Sequence, residues 1–283
     1  MKARAYGKIN LTLNVLKKRE DGFHDLEMVM VPILLHDTLD IEIALEPSFS
    51  TNAKYLQYHK NNSIHQAIDE LRLRYGFQEN FAIKLMKYIP SQAGLGGGSS
   101  DGAATLLLLN ELLGLKLSLA TLAEIAVTIG KDLPFCLYGQ AALVEGTGEK
   151  LTFIENKTDL KLLLVKPVAG VSTKQAYESI TKQQRSYHDS AAMIKALTGG
   201  DYWGVVANLG NNFEALASDT LPEIQRIKDE LQAFGFDGSL LCGSGSCVFA
   251  LSQDDQLLAE GVRHFRKYYP FVWQSEVRQR KYD

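Results

Sequence analysis

Cysteine is scarce in this chain. Cys136, Cys242 and Cys247 are the three in 283 residues, and none forms a C-x-x-C pair. An odd count without paired spacing argues against a disulfide framework and fits a reduced, cytoplasmic setting. No histidine-bearing motif surrounds any of them, so all three read as small apolar packing residues and not as nucleophiles. Long apolar runs are missing too: none approaches the ~18 residues of a membrane span. The opening MKARAYGKIN has no apolar stretch of the signal-peptide kind. Neither sign of charge dominates, with 30 Lys and Arg against 33 Asp and Glu and a formal net charge of -3. That balance excludes the broad electrostatic footprint of a nucleic-acid or anionic-membrane binder, and neither is expected as a partner. Low-complexity tracts and fixed-period repeats are also lacking.

What is present is an ordinary globular composition, 46% hydrophobic, at a length that suits one large or two smaller domains. From Lys8 the residues alternate. Ile9, Leu11, Leu13 and Val15 share one face, and Lys8, Asn10, Thr12 and Asn14 share the other, which predicts a half-buried strand. Asp21-Gly22 marks a turn, followed by an extended stretch over 23–35 and a further strand over 38–45. Apolar residues at Ile64, Ala67, Ile68, Leu71 and Tyr75 follow helical spacing up to Gly76. A strand around Phe81–Leu85 leads to a glycine-rich loop. After it comes a helix over 101–113, apolar nearly all round and hence central, then a helix over 118–129 and short strands near 135–137 and 141–144.

The looser stretch EGTGEKLTFIENKTD separates the halves, giving expected domains 1–153 and 154–283. The second half reads as a buried strand LKLLLVKP, helices near 173–182, 189–198, 203–217 and 221–233, two short strands around a Gly/Ser turn, a helix over 254–268 and a last strand FVWQSEV. Leaving out the extra helices, the order is β-α-β-β-α-β, the ferredoxin-like order, and the chain as a whole is α+β.

The glycine loop, PSQAGLGGGSSDGAATLLLLN, carries the strongest chemical signal. Glycines let several backbone N–H groups face one concavity, and a helix starting there adds its own unpaired N–H groups and the positive end of its dipole. Such a concavity holds a phosphate chain. A glycine-rich turn needed for packing alone is the alternative, but four glycines and two serines ahead of a buried helix favour phosphate. The loop has no Gly-Lys-Ser/Thr, which excludes a Walker A motif, and position 99 is Ser where the dinucleotide fingerprint has Gly. No H-R-D, D-F-G or V-A-I-K of the protein kinases is present.

Pro90-Ser91-Gln92-Ala93-Gly94-Leu95-Gly96-Gly97-Gly98-Ser99-Ser100-Asp101 resembles the phosphate loop P-x-x-x-G-L-G-S-S-A of the GHMP kinases. Its GGGSSD form is similar to the branch of the non-mevalonate isoprenoid pathway that acts on 4-diphosphocytidyl-2-C-methyl-D-erythritol. AYGKINLTLNVLKKREDGFHDLEMVM resembles the opening of that branch, GKDLPF its G-A-D-V-P-F, NNFEAL a short C-terminal motif and LCGSGSCVFAL its S-G-S-G-x-x-x-F. The resemblance runs over nearly the whole chain.

The resemblance implies a two-domain fold, with an N-terminal half like ribosomal protein S5 domain 2 and a ferredoxin-like C-terminal half with extra helices. It implies transfer of phosphate from ATP to the 2-hydroxyl of a substrate with a cytidine diphosphate moiety. ATP would lie on residues 90–100, with Asn62 and Lys87 near the adenine; without the resemblance both would read as surface residues. Mg²⁺ would accompany the phosphates, with Ser99 or Ser100 as a candidate ligand. The resemblance further implies Asp132 as the base and Lys8 as the cation that keeps it ionised and stabilises the transferred phosphoryl. Asn10, Phe23, His24 and Tyr177 match its substrate positions, the aromatics stacking on the cytosine. Gly243, Ser244 and Gly245 read as a tight turn over the phosphate region, or as a purely structural hairpin turn. Two departures stand out: Lys131 replaces a small residue beside Asp132, and YHKNNSI replaces the P-x-D-x-x-N-L segment. They leave two further readings open, a GHMP kinase with another small alcohol or a non-catalytic nucleotide-binding relative.

Overall fold

The computed structural model describes residues 1–181 and 185–278. By packing, the chain falls into two units, each drawn from several segments. The first comprises Met1–Gly7, Leu35–Ile89 and Gly96–Gly139; the second comprises Lys8–Leu34, Pro90–Leu95 and the chain from Gln140 on. Two long strands contribute to both: β1 (Lys2–Lys18) and β2 (His24–Ala44). The extended stretches expected at 23–35 and 38–45 are thus one strand. Neither glycine nor proline separates Leu35 from Thr38, so nothing there breaks the ladder.

In the first unit, β4 (Asn80–Met86) runs antiparallel to the end of β2, from Thr38↔Met86 to Ala44↔Asn80. β3 (Ser48–Thr51) runs parallel to β4. Four helices complete the unit: α1 (Ser63–Tyr75), α2 (Gly97–Leu112), α3 (Leu119–Ile129) and α4 (Leu133–Tyr138). Leu39, Ile41, Ile83 and Leu85 from the strands share one buried core with Ile64, Leu71, Leu106, Leu109, Leu122 and Ile125 from the helices. The apolar circumference of α2 places it in the middle of that core, as expected.

Two local expectations are corrected here. Helix α2 begins at Gly97 and not at Asp101. Glycine is a poor helix former, but packing overrides propensity: a Cβ on Gly97 would lie 2.9 Å from Ile89 Cγ2. Residues 135–137 belong to helix α4 and not to a strand. Pro134 in its first turn supplies a φ already suited to a helix, and Gly139, at φ 58, ends it.

In the second unit, β5 (Ala142–Gly146) pairs antiparallel with the start of β2, and β6 (Lys150–Phe153) pairs with β5. A separate four-stranded sheet has the order β11-β7-β10-β9, formed by β7 (Lys161–Lys166), β9 (Gly238–Leu241), β10 (Val248–Leu251) and β11 (Phe271–Glu276). All its pairings are antiparallel. With α9 (Glu223–Phe234) and α10 (Asp255–Phe265) as the two crossover helices, this is the expected β-α-β-β-α-β arrangement. The remaining helices are α5 (Thr173–Ser179), α6 (Ser190–Gly199), α7 (Tyr202–Ala207) and α8 (Glu214–Thr220). Residue 182, the expected end of the first of these, lies outside the described residues.

The single helix expected over 203–217 is α7 and α8, parted by a two-residue strand β8 (Gly210–Asn211) that lies parallel to Thr12 and Leu13 of β1. Asn208, Gly210, Asn211 and Asn212 are weak helix formers clustered at the break. Among the described residues no helix is long and apolar enough to cross a membrane. All three cysteines are free; Cys242 and Cys247 are buried, and burial pushes the Cys242 thiol up, away from nucleophilic use.

Leu106, fully buried in the centre of α2, gives a direct test of the first core. Leu106→Ala should cost about 2–5 kcal/mol in urea-induced unfolding; a loss below about 1 kcal/mol would mean the site is loosely packed.

Candidate functional site

The glycine loop is held in two stretches. Residues 90–95 belong to the second unit. There the Ser246 N–H donates to the Gln92 carbonyl at 3.1 Å, Cys247 N–H to Ala93 at 3.3 Å, and Lys8 N–H to Leu95 at 3.0 Å. Gly94 has φ 74, and a Cβ on it would lie 1.7 Å from the Cys242 carbonyl oxygen. No larger residue fits at Gly94 while that turn stays in place. Residues 96–100 belong to the first unit. Gly96, at φ 71 in the left-handed region, precedes α2 with no side-chain cap. Ser63 Oγ donates to the Gly98 carbonyl at 2.6 Å, and Ser100 Oγ donates to the Tyr6 carbonyl at 2.5 Å. The Ser100 hydroxyl is thereby buried and committed, whereas Ser99 is half-buried. That separates two serines the sequence left equivalent.

The polar face of β1 is not solvated. Lys8, Asn10, Thr12 and Asn14 are all buried, at 5%, 0%, 0% and 1% exposure, so the strand is covered on both faces and not half-buried as its alternation suggested. Lys8 Nζ donates to Asn10 Oδ1 at 3.0 Å. Asn10 Nδ2 ends on Met28 Sδ at 3.3 Å, a weak acceptor that leaves the amide poorly satisfied. Thr12 Oγ1 meets Ser190 Oγ and accepts from the Val29 N–H, while Asn14 exchanges hydrogen bonds with the backbone of His188.

The Gly243–Ser246 turn approaches the same place. A Cβ on Gly243 would lie 3.1 Å from the Gly94 carbonyl oxygen and 3.4 Å from Lys8 Nζ. Asn211 pins this turn, its Nδ2 donating to the carbonyls of Leu241 and Gly243 at 2.9 and 2.7 Å. The expected turn against the loop is therefore present within the second unit. Asn212 ties down β1 as well, accepting from the Val15 N–H at 2.7 Å.

Asn62 and Lys87 are not the surface residues that they resemble in the sequence. Asn62 is buried and caps α1, its Oδ1 accepting from the Ile64 N–H at 2.9 Å while its Nδ2 donates to the Gln57 carbonyl. Lys87, its side chain 9% exposed, lies between two carboxylates, bonded to Asp37 Oδ2 and, at 2.8 Å, to Asp101 Oδ2. Burial lowers its ammonium, but the charges of Asp101 and Asp37 more than offset that and hold it above the ordinary lysine value. Asp37 Oδ1 also accepts the N–H groups of Tyr88 and Ile89 at 2.6 and 2.9 Å. Asp101 is less well served: its Oδ1 is buried with no partner. Burial pushes its carboxyl up to about 7, with Lys87 opposing and Asp37 adding to the rise.

His24 and Tyr177 meet face to face, rings 5.9 Å apart and inclined by 27°, and Phe213 closes on Tyr177 edge-on at 4.8 Å. Arg185 Nη2 lies 3.3 Å from His24 Nε2. Burial, then the charge of Arg185, lowers the histidine's proton affinity, so the ring is neutral and that nitrogen is the acceptor. Phe23, at 52% exposure, projects from the adjoining turn, where its N–H is held by Asp21 Oδ1 at 3.1 Å. Asp132 stands immediately before α4; its carbonyl accepts from the Cys136 N–H at 3.1 Å, and its carboxylate makes no capping bond to that helix.

Sequence reasoning missed Asp37, Asn211 and Arg185, and gave Asp101 no role. Asp37 sits in an unremarkable LLHDTL strand with no motif to mark it. Asn211 lay inside the quoted NNFEAL, so the signal was there without its meaning. Among the described residues, no group of three or more His, Cys, Asp or Glu side chains is placed to hold a metal ion.

A glycine-rich turn at the head of a buried helix is a seat for a phosphate chain, as a nucleotide-dependent phosphotransferase requires. Comparison with known proteins agrees. Residues 62–140 match the GHMP kinases N terminal domain, and residues 193–270 match the GHMP kinases C terminal. The chain is 39% identical over 267 residues to the 4-diphosphocytidyl-2-C-methyl-D-erythritol kinase of Bacillus subtilis, covering 93% of this chain and 92% of that one. It is 41% identical over 249 residues to the enzyme of the same name from Listeria welshimeri, covering 87% and 86%. The crystal structure of a 4-(cytidine 5'-diphospho)-2C-methyl-D-erythritol kinase superposes with a TM-score of 0.85 at 28% identity, over 99% of this chain and 100% of that one. The chain belongs to the GHMP kinase family, whose members are ATP-dependent kinases.

Two tests follow from the site's packing. Gly94→Ala should lower the melting temperature sharply, because its Cβ meets backbone, whereas Gly98→Ala, with nothing nearer than Ser63 Oγ at 4.0 Å, should leave it unchanged or raise it. Equal effects would contradict the packing described. The second test concerns Asp101, whose carboxyl ionises near 7 in the folded chain against an ordinary 3.8. Between those values the folded state binds the extra proton, so this group's contribution to stability falls as pH rises from ~4 to ~7 and stays low above that. Asp101→Asn should therefore gain stability relative to the parent chain across that window, read as melting temperature at pH 5 and pH 8. A pH-independent offset would refute it.

Proposed function

We propose that this chain transfers the γ-phosphoryl group of ATP to the 2-hydroxyl of 4-diphosphocytidyl-2-C-methyl-D-erythritol. The observation that carries the choice of acceptor is the His24–Tyr177 stack with Phe23 on the adjoining turn. It is an aromatic receptor suited to a nucleobase, at the positions where the resemblance places the cytosine. The names of the relatives at 39% and 41% identity support the same acceptor.

In this reading the N–H groups of the loop around Gly96–Ser99 bind the triphosphate, aided by the dipole of α2. Asn10 turns its poorly satisfied amide to a substrate hydroxyl. Asp132 takes the proton of the attacking 2-hydroxyl, which makes the oxygen a better nucleophile toward the γ-phosphorus. Lys8 places a buried positive charge beside Gly243 and the loop's first half, where it stabilises charge on the phosphoryl group in flight. Mg²⁺ is a hard cation that keeps waters and takes phosphate oxygens as ligands. The Ser99 hydroxyl fits that donor set, whereas Ser100 is spent on the Tyr6 carbonyl. Bound there, Mg²⁺ would screen the charge of the phosphate chain. The free thiols fit a reducing cytoplasm.

The test is to offer the purified chain ATP, Mg²⁺ and, separately, the cytidyl-methylerythritol compound, mevalonate, phosphomevalonate and homoserine. ADP release with the cytidyl compound alone is the expected result; turnover of another acceptor and none of this one overturns it. Asp132→Asn should lower kcat by about 10²–10⁴, the contribution of a general base, with nucleotide affinity kept. A loss within about tenfold would remove Asp132 from that role.

A further inference from the structure

We propose that Arg185 is a positioning residue for the nucleobase: by donating to His24 Nε2 it fixes the His24 ring with its proton on Nδ1, so that the aromatic receptor offers the base a hydrogen-bond donor and selects cytosine over uracil. The proposal rests on reading Phe23, His24 and Tyr177 as the nucleobase receptor.

Stacking alone does not make that choice. Every base has a π-face, so aromatic rings accept cytosine and uracil alike. The two differ in polar pattern along one edge: cytosine carries a bare ring nitrogen beside an amine, and uracil carries a ring N–H beside a carbonyl. A receptor that separates them needs a polar atom of fixed character. Phe23 has no polar atom, and the Tyr177 hydroxyl rotates to donate or accept. The His24 imidazole discriminates only when its tautomer is set, because a free neutral ring exchanges between two.

Arg185 sets it. A guanidinium has N–H donors and no acceptor, so the contact from Nη2 to His24 Nε2 at 3.3 Å is made to a bare Nε2. With a proton on Nε2, two donors would face each other; with both nitrogens protonated, two cations would. The burial of His24, at 7% exposure, and the adjacent cation both disfavour that charged ring. What remains is the neutral ring with Nδ1–H. Among the described residues no hydrogen bond engages Nδ1.

The guanidinium is itself held in place. Nη1 donates to the Leu16 carbonyl of β1 at 2.8 Å, and Nη2 also reaches the carbonyl of Ile180, the residue that ends α5, at 3.3 Å. Arg185 thus joins three elements around the receptor: β1, the helix that carries Tyr177, and His24 at the start of β2. Its Nε is buried with no hydrogen-bond partner. Leaving a buried donor of a charged group unpaired costs stability, so support of the fold alone does not account for an arginine here.

Two measurements on the full chain test this. The first is nitrogen NMR of the His24 ring at about pH 8, above the ordinary histidine range. A protonated and a bare ring nitrogen resonate far apart, so the tautomer is read directly. The parent chain should show Nδ1 protonated and Nε2 bare, and Arg185→Met should show a mixture of tautomers. The second is steady-state phosphorylation of 4-diphosphocytidyl-2-C-methyl-D-erythritol and of its uridyl counterpart, with ATP and Mg²⁺ in excess. The parent should favour the cytidyl compound in kcat/KM by roughly tenfold to hundredfold, the discrimination of one well-placed polar contact. Arg185→Met should raise KM for the cytidyl compound about tenfold, with kcat and the uridyl KM within about twofold, so that selectivity collapses. Arg185→Lys, which keeps a donor and brings no acceptor, should restore most of it. His24→Phe should collapse selectivity too, and adding Arg185→Met to it should change selectivity no further.

A parent ring protonated on Nε2 overturns the proposal. So does an equal loss on both compounds in Arg185→Met, the mark of a merely structural role. If Arg185→Met does not fold, the parent's tautomer and His24→Phe decide in its place: an Nε2–H ring, or selectivity unchanged in His24→Phe, overturns the proposal. Equal turnover of both compounds by the parent overturns the base selectivity. If the parent phosphorylates neither compound, the acceptor reading itself has failed and the selectivity falls with it, while the tautomer shows whether the Arg185–His24 contact stands apart from that failure.

Discussion

Backbone amides that face an anion have no partner within the protein, and the glycines that bare them bring no side chains to hold the loop in shape. This constraint governs the rest of the structure. The loop's conformation, with left-handed glycines at 94 and 96, has to be imposed from outside. An unsupported glycine run would lose its order to conformational entropy.

Each stretch of the loop has its own support. Residues 90–95 are gripped by the Gly243–Ser246 turn and by the backbone of Lys8, and the turn is in turn held by Asn211. Residues 96–100 are gripped by Ser63 and by the Ser100 hydroxyl. Burying Lys8 and Lys87 is costly unless each is paired. That cost is offset by polar partners: Asn10 for one, and Asp37 and Asp101 for the other. In each unit, on the proposed reading, polar residues that look misplaced in buried strands support the stretch of loop that the unit holds.

Much of this was legible in the sequence, for physical reasons. Strand and helix periodicity gave β1, α1 and the ferredoxin-like order of the second sheet, since burial on one face forces those spacings. The glycines marked the loop because no other residue fits the approach at Gly94. What stayed hidden depends on contacts between distant residues. Local patterns did not reveal that α2 starts at Gly97, because Ile89 and Ser63 impose that start against glycine's own preference. The helix at 133–138 was mistaken for a strand because six apolar residues have too little period to tell the two apart. Lys87 looked like a surface residue because Asp37 lies on another strand. The alternation from Lys8 to Val15 was read correctly as a strand and wrongly as half-solvated, since a buried polar face and a wet one look the same in sequence.

The central claim is that the bare amides of the loop are the anion's seat. Amide hydrogen exchange, resolved by residue with and without a non-hydrolysable ATP analogue, tests it most directly. Binding should slow exchange at Gly96, Gly97, Gly98 and Ser99 more than at surface amides elsewhere in the chain. Unchanged exchange at those four positions, with protection appearing in another part of the molecule, would contradict the account.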